Sequence, residues 1–194
     1  MAVLFRRPVL LLFSAAFIIY SFVYAQYVFG LPIYISEIFK DRAKYYGIIM
    51  SVNAIVVVVA KLFLIEFMKK NKPLVNITIV GLLFAVGFGM IFFIKLFAFF
   101  IVSTIIWTFG EIISTVNSNV LIANYSPISH CGRFNAVITF IGQAGFANSR
   151  RVFGRLIGAI GSRNIWPIMF LLSIVASIFM FGLYFYEKKK SPAA

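Results

Sequence analysis

Few side chains in this 194-residue sequence could do chemistry, and most of them lie inside apolar runs. Glu111, in "WTFGEIIS", is an acid flanked by Trp, Phe and Ile. An apolar site disfavours the ionised form of a carboxyl, which suits such a group to carrying a proton or meeting a cationic solute. A structural ion pair or a helix-to-helix hydrogen bond is the competing reading. The amides Gln26, Asn53, Asn117 and Gln143, with Asn119 and Asn148, could contact a solute, but amides in apolar helices more often bond across to a neighbouring helix. The stretch "FANSRRVFGRLIG" adds Arg150, Arg151 and Arg155. At about 100° per residue these fall at about 0°, 100° and 140°, on one side of a helix.

The acid and the arginines can meet. From a turn centred near Ser129, Glu111 lies 18 residues before and Arg150 lies 21 residues after. At about 1.5 Å of rise per residue their depths differ by roughly 4 to 5 Å, so a Glu111 pair with Arg150 or Arg151 is allowed. The arginines then either line a cavity suited to an anionic solute or mark a helix released from the need to move. Other chemistry finds little support. A nucleophile needs an oriented base, and the chain has one His and one Cys, the adjacent His130 and Cys131. No phosphate loop, paired carboxylates or metal cluster appears, and the sequence implies no cofactor and no metal.

The elements that position these residues follow from composition. The chain is 62% hydrophobic, with 24 Phe, and 12% charged, against about 25% charged in a soluble domain. Its apolar residues come in blocks of about 20, the length of a helix that crosses a hydrocarbon core. These features exclude a soluble globular protein and indicate an all-α membrane protein. The net charge of +13 does not indicate nucleic acid, because most cations sit at the ends of apolar blocks rather than on a solvated basic face.

Six transmembrane helices are expected, over residues 9–36, 47–68, 74–94, 97–125, 134–161 and 165–186, with a short basic tail over 188–194. The rival reading of the first block as a signal peptide, cleaved after "VYA", is opposed by the apolar run continuing through "YVFGLPIYI". With both termini cytoplasmic, Arg6, Arg7, Lys69, Lys70, Lys72, Arg133, Lys188, Lys189 and Lys190 lie inside. Lys40, Arg42, Lys44, Lys95 and Arg163 then lie outside, a bias that favours this orientation. The sequons at Asn76 and Asn124 then face the cytoplasm and are not glycosylation sites. Lys61 is read as a snorkelling lysine, and "GRLIG", Gly154 to Gly158, as a small-residue spacing for close helix packing. The openings "YYGIIMSVNAI" and "GRFNAVITFIG" of the second and fifth spans are weakly alike, which suggests two three-helix units as a 3+3 inverted repeat, a transporter arrangement. Spans one, two, four and five hold the polar residues and should surround a polar interior.

Four segments, "YAQYVFGLPIYI", "YYGIIMSVNAIVVVVAK", "WTFGEIISTVNSNVLIANYSP" and "GRFNAVITFIGQAGFA", resemble the C-terminal six-helix half of major facilitator superfamily transporters. The nearest likeness is to bacterial drug:proton antiporters and related exporters. The resemblance implies half of a major facilitator fold in the bacterial plasma membrane. It also implies alternating access to a small organic solute or drug, with proton coupling. Substrate and protons would meet Glu111, Gln26, Asn53, Asn117, Gln143, Arg150 and Arg151. Glu66, Lys69 and Lys70 in "LIEFMKKNKP" keep part of the family's gate signature without its glycine. Two departures stand out. A six-helix N-terminal half or a homodimer partner is required, so the chain is read as a half transporter, a partner subunit or a truncated remnant. The family's Gly-Pro kink in the fifth span is replaced by "SRRVFGRLIG".

Overall fold

The structure, a computed structural model, describes residues 8–126 and 131–190. Arg6, Arg7, His130, the Lys190 side chain and residues 191–194 of the expected tail lie outside the described residues. The described chain forms seven α-helices: α1 (Pro8–Tyr24), α2 (Gly30–Ile38), α3 (Arg42–Met68), α4 (Pro73–Gly89), α5 (Phe97–Tyr125), α6 (Cys131–Ile160) and α7 (Ile165–Lys190). Short 3-10 turns follow α1 at Ala25–Tyr27 and α4 at Met90–Phe93.

Local chemistry sets the boundaries. The first block, expected as one span over 9–36, is two helices, because Pro32 has no N–H to give the Val28 carbonyl and its ring crowds that carbonyl. The chain narrows instead into the 3-10 turn, where Val28 N–H and Phe29 N–H both donate to the Ala25 carbonyl at 3.1 and 3.2 Å. The second block starts at Arg42 rather than Gly47, because the Asp41 carboxylate accepts the Lys44 N–H at 3.3 Å as an N-cap. Pro73 opens α4, where a missing N–H costs nothing. Gly161, at φ 85°, ends α6 in the left-handed region that favours glycine. At the other end α7 runs on through 188–190, where a tail was expected.

α4 lies at the centre and packs along both α5 and α7. Phe88 of α4 is stacked between Trp107 of α5 at 5.8 Å and Trp166 of α7 at 6.4 Å, all three buried. Hydroxyls stitch the same layer: Tyr20 donates to the Ile77 carbonyl at 3.1 Å, Ser103 to the Gly87 carbonyl at 2.7 Å, and Ser177 to the Thr78 carbonyl at 2.8 Å. Lipid is as apolar as a leucine side chain, so close van der Waals fit and such bonds hold membrane helices together. α1 packs on α6 and α7, α3 packs on α5, and α2 packs on α3. Ile49 and Met68 are the buried residues of α3, whose Val58, Leu62 and Phe63 are each about three-quarters exposed. That is the surface of a helix at the rim of a lipid-facing bundle.

Among the described residues five segments are long and apolar enough to cross a membrane: Val9–Ile38, Arg42–Met68, Pro73–Phe93, Phe97–Tyr125 and Ile165–Lys189. α6 is not among them, although it has 30 residues. Arg133, Arg150, Arg151 and Arg155, with Asn135, Gln143 and Asn148, dilute its apolar character. Its inner edge is nonetheless closely packed. A Cβ on Gly142 would lie 2.5 Å from the Phe17 ring, and one on Gly145 would lie 2.9 Å from the Ile18 carbonyl oxygen. Here α1 and α6 approach more closely than side chains allow. Gly154 and Gly158, where close packing was expected, have nothing within 4 Å of such a Cβ. The spacing of small residues was recognised, but on the wrong turns of the helix.

Candidate functional site

Three helical stripes converge on one cleft of about 490 Å³. α5 contributes Glu111, Ser114, Thr115, Ser118, Asn119 and Ile122, and α6 contributes Asn135, Ile138, Thr139, Gly142, Gln143 and Phe146. Both sets fall at every third or fourth residue, the period of one helix face. The first block supplies Phe17, Tyr20, Ser21, Tyr24 and Tyr27, and Phe84 of α4 completes the wall. The cleft therefore occupies the half of the bundle nearer the α5–α6 connection, with Glu111 at its deep end. α3 does not line it but reaches its acid from behind.

Among the described residues Glu111 is the sole charged one lining the cleft. Its environment is a directed chain of hydrogen bonds. The Thr108 hydroxyl donates to the Thr104 carbonyl at 2.6 Å, which leaves its lone pair free. Asn53 Nδ2 then donates to Thr108 Oγ1 at 2.9 Å and to Glu111 Oε2 at 2.9 Å. Both Asn53 amide protons are committed, so Glu111 can only accept from it. The Tyr24 hydroxyl neighbours the same carboxyl. The site is thus one acid presented to a wall of aromatic rings, hydroxyls and amides.

The expected pairing of Glu111 with Arg150 or Arg151 does not form. Matched depth along antiparallel helices leaves the direction around the axis open, and α6 turns its arginines away from Glu111. The Arg150 guanidinium lies 6.0 Å from the Phe29 ring centre, a cation–π contact. Arg150, Arg151 and Arg155 are all exposed. Among the described residues the one salt bridge joins Lys69 Nζ to Glu66 at 2.7 Å, at an exposed helix end beside Lys70. Lys61 is exposed on α3.

The other amides divide between cleft and glue. Gln143 lines the cleft. Gln26 is fully buried outside it, donating to Ser149 Oγ at 2.6 Å and to the Phe22 carbonyl at 3.3 Å. Ser149 in turn donates to the Phe22 carbonyl at 3.2 Å, so the pair clamps the first block to α6. Asn117 is buried between α4 and α5, where Asn76 Nδ2 donates to Asn117 Oδ1 at 2.7 Å and to the Met68 carbonyl at 3.0 Å. Asn76 is therefore an internal tie, though its sequon alone drew attention in the sequence. The rings of Tyr20, Tyr24 and Tyr27 and the hydroxyls on the Glu111 stripe were not singled out, although the helical spacing of those hydroxyls from Glu111 was readable.

Comparison with known proteins connects this geometry to one family. The family model described as Major Facilitator Superfamily matches residues 1–149 of the 194-residue chain. A search of curated proteins finds no match.

Proposed function

We propose that this chain, which belongs to the major facilitator superfamily, binds a small organic cation with aromatic character in the Glu111 cleft and exchanges it for a proton. Membership makes it an integral membrane transporter in contact with lipid and a small-molecule substrate, and not an enzyme. The observation that carries the finer reading is the cleft lining among the described residues: one carboxyl, no cation, and the rings of Phe17, Tyr20, Tyr24, Tyr27, Phe84 and Phe146. Aromatic faces attract organic cations, and a lone acid can hold either the cation or a proton. With the arginines directed elsewhere, the anionic-solute reading loses its support.

The reading includes six spans in a 3+3 inverted repeat, with α6 as the fifth span and both termini cytoplasmic. The packing supports the repeat. Exchanging the first block with α5, α3 with α6, and α4 with α7 carries the α1–α6 contact into the α5–α3 contact, and the α4–α5 contact into the α7–α1 contact. The cleft then opens toward the cytoplasm, as a drug:proton antiporter of a bacterial plasma membrane requires before efflux. Alternating access is completed by a second six-helix body, an N-terminal half or a second copy. The companion reading is that this six-helix body transports only beside such a partner.

Binding of tetraphenylphosphonium to the purified full chain, measured by calorimetry in buffers of different ionisation heat, tests the assignment. The wild type is expected to bind the cation and release a proton, while Glu111→Gln binds at least about tenfold more weakly and releases none. Unchanged affinity and proton release in Glu111→Gln would remove Glu111 from the role.

A further inference from the structure

The side-chain amides of the bundle fall into two groups. Gln26, Asn53, Asn76 and Asn117 each bond across to a neighbouring helix and hold the bundle together. Asn119 of α5 and Asn135 of α6 are instead exposed and line the cleft. Asn119 lies six residues before the Tyr125 end of α5, and Asn135 lies four residues after the Cys131 start of α6. Both therefore sit within about two turns of the mouth of the cleft. Glu111 shares the stripe of Asn119 eight residues earlier in the chain. At about 1.5 Å of rise per residue it is roughly 12 Å deeper.

The two ends differ in chemistry. At the deep end the carboxyl neighbours the Tyr24 hydroxyl, and the Tyr24 ring lies 4.6 Å from that of Tyr27 and 5.8 Å from that of Phe84. Rings around one acid suit a cationic head. Toward the mouth the cleft is polar without charge, since among the described residues its lining holds no second acid and no cation. A primary amide presents two donors and a carbonyl acceptor. Two of them, one on each wall, complement an uncharged group that also donates and accepts. A second positive charge would find no counter-ion there, and a hydrocarbon end would strip water from both amides without replacing its hydrogen bonds.

We infer that the solute is an elongate monocation, with a ring-bearing head at Glu111 and, about 12 Å away, a neutral tail that donates and accepts hydrogen bonds between Asn119 and Asn135. The inference deepens the cation reading of the Glu111 cleft and rests on it. α5 packs on α4 and α3 while α6 packs on α1, so the tail is the part of the solute that ties these two walls together. A compact cation such as tetraphenylphosphonium meets the acid end alone.

Two triphenylphosphonium cations test this by calorimetry on the purified full chain. Each carries a saturated chain reaching about 12 Å, which ends in a primary carboxamide in one and in the isosteric isopropyl group in the other. The carboxamide is expected to bind about tenfold more tightly than its twin, the gain from one or two net hydrogen bonds. Asn119→Leu/Asn135→Leu is expected to erase that preference, and halving the chain is expected to erase it too, because the amide then stops short of the asparagines. Equal binding of the twins by the wild type, a preference that survives loss of both asparagines, or one undiminished at half length overturns the inference. Each result is a ratio between twins on one protein, so a general loss of affinity in a variant cancels. If the double variant does not fold, the wild-type and half-length ratios decide alone. Glu111→Gln separates the two readings, since it is expected to weaken both twins alike and leave their ratio. Affinities for both twins that are unchanged in Glu111→Gln overturn the cation reading and this inference with it, whereas equal twins on the wild type overturn the tail alone.

Discussion

Gly145→Ala tests the packing that builds the cleft, with Gly154→Ala as its internal control. The added methyl of Gly145→Ala would sit 2.9 Å from the Ile18 carbonyl oxygen and 3.2 Å from Ile18 Cγ2. The first is backbone and cannot rotate away, so α1 and α6 must part by a few tenths of an ångström. That movement also stretches the Gln26–Ser149 bond of 2.6 Å and the Ser149–Phe22 bond of 3.2 Å. Overpacking of this kind costs about 1–3 kcal/mol. Alanine in place of glycine returns up to about 1 kcal/mol of helix propensity at either position, so that gain cancels when the variants are compared. Gly154→Ala meets nothing within 4 Å. Unfolding by SDS in mixed micelles should therefore place Gly145→Ala about 1–3 kcal/mol below Gly154→Ala. A difference under about 0.5 kcal/mol, the usual scatter between independent sites, would refute the close α1–α6 approach.

Two further substitutions probe the polar ties. Asn53→Leu removes the donor shared by Thr108 and Glu111 and should lower stability in the same assay by about 1 kcal/mol; wild-type stability would mean that α3 is not held through this bond. Asn76→Leu leaves Asn117 Oδ1 and the Met68 carbonyl without their donor and should cost about 1–3 kcal/mol, and mass spectrometry of the wild type from a glycosylating host should find Asn76 bare. A glycan on Asn76 would contradict its full burial.

Much of the fold was legible because hydropathy and helix length are one-dimensional signals. α5 begins at Phe97 and ends at Tyr125 as its composition indicates. At Asp41 one cap carries the helix to Arg42, ahead of the Gly47 start that block hydropathy marks, and at Pro32 one proline breaks the helix inside a single apolar span. The acid of the cleft was legible at Glu111 for an equally simple reason: a lone charge in an apolar run needs an explanation. Its partner was not. Depth can be counted along a chain, but the direction a side chain takes around its helix is fixed by neighbours, and here Asn53 rather than an arginine reached it. The same limit explains why Gly142 and Gly145, not Gly154 and Gly158, meet α1. The hydroxyl stripe from Ser114 to Ser118 was readable from its period, although single hydroxyls commonly bond their own helix.

The interruption between Tyr24 and Gly30 has a mechanical consequence. An unbroken helix resists flexing because every turn is cross-braced by backbone hydrogen bonds, and Pro32 removes one brace. Flexural compliance in the first block is therefore concentrated beside Tyr24 and Tyr27, which touch the cleft. On one side of this soft point α1 packs on α6 and α7; on the other α2 packs on α3, with Tyr34 also against Trp166 of α7 at 5.9 Å. An occupant pressing on the two tyrosines would therefore bend the first block there rather than tilt it as one rod. The point of lowest stiffness and the point where the load enters coincide.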